Sequence, residues 1–163
     1  MADSGDPRID GLILRRLFAY WESCRRGQVY PRRADFDPLA IPELLPHLFL
    51  IDIEHGADPR FRIRLSGTFI DSVFARSSAS RYLDDSPINR REPKRLDVYR
   101  RVAQSGRPEA SHTSFVDDQG RRYAYERLLL PLAVDDPARV DMIVGALAFD
   151  APVPSPTPGL RDR

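Results

Sequence analysis

The groups that could do chemistry in this 163-residue chain are three histidines, one cysteine and several paired aspartates. Zinc and similar metals need three or four donors converging on one point. His47, His55 and His112 are scattered along the sequence, so each is read as a structural or surface residue and no metal ligand is assigned. The single Cys24 excludes a multi-thiolate zinc site and an internal disulfide framework, and is read as a small packed residue. His112, Ser114 and Asp117 lie close together, but alternation on a strand gives His112 and Ser114 a common face without contact. A triad is a matter of geometry, and no G-x-S-x-G elbow is present to supply it. The pairs Asp84-Asp85, Asp117-Asp118 and Asp135-Asp136 occupy predicted turns, where aspartate bonds its own backbone. With no P-loop, G-x-G-x-x-G or kinase signature, no catalytic residue is assigned and the chain is read as a non-enzyme.

Arginine is the abundant functional group: 24 of them stand against a single lysine, Lys94. The formal net charge is nevertheless only +1, which removes the simplest case for generic nucleic-acid binding. The bias is local. Between residues 76 and 101, eight basic side chains face four acidic ones. Arg90, Arg91, Lys94, Arg95, Arg100 and Arg101 form a candidate patch for an anionic partner, either an acidic protein or a nucleotide-type anion. Arg127 shares a strand face with Tyr123 and Tyr125. Facing inward, an arginine among tyrosines would bind a carboxylate or phosphate through its planar fork. Facing outward, the three belong to a dimer or partner surface. The outward placement is preferred, because Leu128 and Leu130 take the opposite face.

The elements that would position these residues are readable from periodicity. Asp10 is a candidate N-cap for a helix over residues 11–26, closed by Gly27. Its apolar stripe, Leu14, Leu17, Phe18 and Trp21, packs either on its own domain or on a second copy. A Pro-rich connector follows, in which Asp37-Pro38 starts a short helix. Residues 47–54 and 61–66 make a strand hairpin, residues 68–75 a short helix, 76–80 a loop, and 92–105 a longer helix stopped by Gly106. Three meandering strands, 107–116, 121–132 and 140–149, complete the set, with a hairpin turn at 117–120. These tight turns predict an α+β domain: a five-stranded antiparallel sheet, first and last strands adjacent, with helices on one face. Residues 1–9 and the Pro-rich 151–163 are expected to be disordered tails, flanking a helix and connector over 10–46 and a domain over 47–150.

This order resembles a PAS domain, in the stand-alone single-domain form common in proteobacteria. The carrying segments are Tyr20-Trp21, residues 31–38 (PRRADFDP), residues 44–47 (LLPH), residues 62–68 (RIRLSGT) and residues 126–132 (ERLLLPL). The sequence departs from the pattern at Ser80, where such domains often carry glycine. The resemblance implies a sensor or interaction module. Haem-binding members need a histidine on the long helix, and 92–105 has none; light-sensing flavin members need a reactive cysteine in a motif on a mid-chain helix, and Cys24 is elsewhere. No cofactor is therefore expected. The expected role is a regulatory module that acts through protein contacts as a homodimer, using Leu14, Leu17, Phe18, Trp21, Tyr123, Tyr125 and Arg127, with an unidentified signalling protein as partner. The alternative is a small-molecule sensor whose pocket is lined by Leu65, Phe69, Val73, Phe74, Tyr82, Tyr99, Val102, Phe115 and Leu147. No apolar run approaches the roughly 18 residues that span a bilayer, and a cytoplasmic location is expected.

Overall fold

The computed structural model describes residues 5–74, 81–86, 89, 93–116 and 120–150. The expected loop at 76–80, the tip of the 117–120 turn, the start of the long helix at Glu92 and the tail at 151–163 lie outside these. Helix α1 spans Leu12–Cys24 and buries Leu14, Leu17, Trp21 and Cys24 as one stripe. Its N-cap is Gly11 rather than Asp10, and no side chain of its own segment caps it. The chain leaves the helix through left-handed backbone at Arg26 and Gly27, with φ of 50° and 79°.

The Pro-rich connector forms 3-10 turns at Pro38–Ala40 and Pro42–His47 instead of one helix, because Pro42 and Pro46 interrupt the bonding pattern. Asp37 caps the first of them, accepting a bond from the Leu39 N–H at 2.9 Å. The strands are β1 (Leu48–Glu54), β2 (Arg60–Ser66), β3 (Glu109–Val116), β4 (Arg122–Leu132) and β5 (Met142–Phe149). Helix α2 spans Thr68–Val73, and a 3-10 turn at Pro93–Leu96 leads into α3 (Asp97–Ser105). Gly106, with φ of 66°, closes α3 as predicted. All the pairings are antiparallel and the order is β2-β1-β5-β4-β3, so the first and last strands are neighbours.

Strand alternation assigns the two faces. Glu126 pairs with Ala148, and an added Cβ on Gly11 would lie 3.0 Å from the Glu126 carboxylate and 3.2 Å from Ala148. That face, the outer one, is covered by α1. Leu128, Leu130 and Leu132 follow on it with no exposure. Tyr123, Tyr125, Arg127 and Leu129 point to the inner face, under α2 and α3. The molecule is thus three layers: α1, the sheet and the mid-chain helices. No helix among the described residues is long and apolar enough to cross a membrane.

Candidate functional site

On the inner face of the sheet, apolar packing and unpartnered polar atoms meet. Its aromatic side chains form a chain of ring contacts. Phe115 stacks on Tyr123 at 4.7 Å and on Phe74 at 5.6 Å, and Tyr125 lies 5.4 Å from Phe149. Phe69 continues the series, 5.9 Å from Phe149 and 4.8 Å from His47. Tyr99, from α3, reaches Phe61 on β2 at 5.8 Å. At the β5 end the space is filled, because Gly145 lets the Phe49 ring lie on the sheet where a Cβ would stand 2.2 Å from it.

Arg127 sits in the middle of this face and is 8% exposed. Its guanidinium carbon lies 5.0 Å from the centre of the Tyr99 ring. No carboxylate among the described residues pairs with it, and its Nε is buried without a hydrogen-bond partner. Ser111, directly opposite on β3, has a buried Oγ that is also unpartnered. Ser66 shows the same on β2, where it pairs with the inward-facing Phe49. Burial pushes the Tyr125 phenol above its ordinary value of 10.0, while the Arg127 and Arg95 charges pull it down.

The outward placement of Tyr123, Tyr125 and Arg127 is therefore corrected: they are 5%, 7% and 8% exposed and face inward. That placement assumed a sheet with one wet face, whereas α1 buries Leu128 and Leu130 on the other side. Leu14, Leu17 and Trp21 are likewise not a surface; they are at most 1% exposed within a single chain. Trp21 donates its indole N–H to the Pro131 carbonyl at 3.0 Å. Phe18 is half-buried and stacks on Trp21 at 5.9 Å.

Of the candidate pocket residues, Tyr99, Val102, Phe115 and Leu147 belong to the core with Val73 and Phe74 at its margin, and Phe69 is half-buried beside it. Leu65 does not line the inner face: it pairs with Leu50, itself opposite Val144, on the α1 side. A register shift between Leu50 and Ile51 breaks the simple alternation that placed Leu65 inward. Tyr82 is also displaced. It bridges to Arg62 at the edge of β2, donates to Glu54 at 2.8 Å and carries the Arg60 guanidinium 3.6 Å above its ring.

The basic patch disperses. Arg101 pairs with Glu109 at 2.9 Å, and Arg100 with Asp97 at 3.0 Å. Arg95 turns inward and donates to Thr113 Oγ1 at 3.0 Å. Lys94 remains exposed, and Arg90 and Arg91 lie outside the described residues. Folding also assembles a group that scattered histidines did not predict: donor atoms of Asp10, His112 and Glu126 lie within 4.8 Å of one another. Glu126 already accepts the Asp10 and Gly11 N–H groups at 2.9 and 2.7 Å. Its carboxylate thereby caps α1 from β4, a role no local motif signals.

Solved structures with this architecture include a light-oxygen-voltage domain studied with a flavin analogue, at 12% identity and TM-score 0.52 over 73% of this chain and 89% of that one. The Rhodobacter sphaeroides LOV protein matches at 12% identity and TM-score 0.50 over 72% of this chain and 70% of that one. An RNA-binding light-oxygen-voltage receptor matches at 13% and 0.50 over 69% of this chain but only 32% of its own. At these identities the likeness shows the fold. The flavin–cysteine chemistry that the resemblance implied for light-sensing members does not fit this chain. Its single thiol, Cys24, is buried on α1, across the sheet from the inner face. No curated protein matches the sequence. The PAS domain family model matches residues 12–148, from the first residue of α1 into β5, and the chain belongs to that family.

Proposed function

We propose that this PAS domain is a non-catalytic regulatory sensor that takes a small molecule on the inner face of its sheet. The observation that carries this reading is the set of buried, unpartnered polar atoms on that face: Arg127 Nε, Ser111 Oγ and Ser66 Oγ. Buried polar groups in folded proteins are almost always paired, so the neighbouring orphans on Arg127 and Ser111 mark a place where a partner is missing. The surrounding rings give the apolar lining of a ligand site. A ligand there would act by favouring one conformation over another, to the extent that it binds one better.

The reading through protein contacts and a homodimer loses its proposed surface, since six of its seven residues are buried within one chain. Such contacts would have to use other residues. Native mass spectrometry tests the sensor reading: retained mass above the calculated 18.6 kDa supports it. A bare chain that also binds no compound from a small-molecule library sinks it.

A further inference from the structure

We infer that the ligand of this sensor is a small organic carboxylate with an aromatic body, and that Arg127 is its anchor. The inference rests on the sensor reading above and adds the ligand's charge and shape. Arg127 is a permanent cation, more than nine-tenths buried, and its Nε has no hydrogen-bond partner among the described residues. Burying such a charge unpaired is costly, and one ring contact recovers only part of that cost. A bound carboxylate removes the penalty. Its two oxygens match the guanidinium fork, whose Nε–H is unused. Ser111, the cross-strand partner of Arg127, supplies a hydroxyl with no other bond to make.

The free donors favour a single carboxylate. Arg95, the second guanidinium near Tyr125, already donates to Thr113 Oγ1 and to the Ser114 carbonyl on β3, which leaves the Arg127 fork to hold the ligand's anionic group. The flanking groups are rings, Tyr99 from α3 with Tyr125 and Phe115 from the sheet, and they suit a flat apolar body.

The test is calorimetric titration of the full chain with benzoate, and with benzamide as an uncharged match. Benzoate should bind at least tenfold more tightly than benzamide, and inorganic phosphate should not compete. Arg127→Leu should lose the preference for benzoate while its thermal midpoint stays level or rises, because an unpaired buried charge has been removed. A structural arginine would give the opposite: a lowered midpoint and unchanged binding. Arg127→Lys, which keeps the charge but not the fork, should bind benzoate at an intermediate level. Equal binding of benzoate and benzamide by the wild-type chain overturns the carboxylate assignment and leaves the sensor reading intact. Displacement of benzoate by phosphate overturns the choice of a single carboxylate. If neither aromatic binds and native mass spectrometry shows no retained mass, both readings fail together.

Discussion

His47 shows how burial at one residue becomes a property of the whole chain. Its Nδ1 is buried without a partner, its ring lies 4.8 Å from Phe69, and desolvation lowers its pKa from the ordinary 6.5. Below that ordinary value the unfolded chain takes up a proton that the folded chain resists. Stability must then fall as pH drops through about 6.5 and continue falling until the native imidazole protonates. Urea unfolding measured from about pH 7.5 to pH 5 should show this decline, and it should be shallower in His47→Phe, which cannot titrate. Equal slopes in the two proteins would remove His47 as the cause. At the same scale, Arg127 illustrates the limit of residue type. A mid-strand arginine reads as surface on frequency, and only its neighbours reveal that it is enclosed.

Among the elements, α1 is the one whose placement alters the most. Its 3.6-residue stripe is plain in the sequence, but a stripe does not say what it packs against. The answer lies 110 residues away, where the Pro131 carbonyl receives the Trp21 N–H and Glu126 receives two amides at the helix start. A helix begins with N–H groups that lack internal partners, and Glu126 accepts that of the N-cap Gly11 together with the Asp10 N–H just before it. Glu126→Ala should therefore cost about 1 kcal/mol, within the range for a lost N-cap. Hydrogen exchange should speed up in the first turn of α1 and stay unchanged in β1 and β2. Protection that is the same throughout would show that water replaces the carboxylate at no cost.

At the scale of the molecule, three layers make both faces of the sheet apolar. Removing α1 would uncover Leu128, Leu130 and Leu132 together with Val144 and Ala146, all fully buried now. An apolar patch of that kind drives association or unfolding. A chain that starts at residue 26 should consequently aggregate or oligomerise in light scattering; a stable, soluble monomer would mean that α1 is an accessory. The layered arrangement also gives β4 two readings at adjacent positions. Arg127 faces the inner site and Glu126 holds α1, so one strand joins the proposed ligand to the helix on the far side.

The sequence by itself determined the order of elements, the helix stop at Gly106, the α+β class and the family. Periodicity and turn chemistry act over a few residues, and segments such as RIRLSGT and ERLLLPL keep their spacing whatever surrounds them. Tertiary structure alone decided which side of the sheet Arg127 and its tyrosines occupy, that Leu65 turns away at a bulge, and that Glu126 caps a helix from another element. The physical reason is that strand alternation yields two faces without labelling them. Only the packing of α1 on one face, through contacts between residues more than 100 positions apart, and of α2 and α3 on the other, enclosed both.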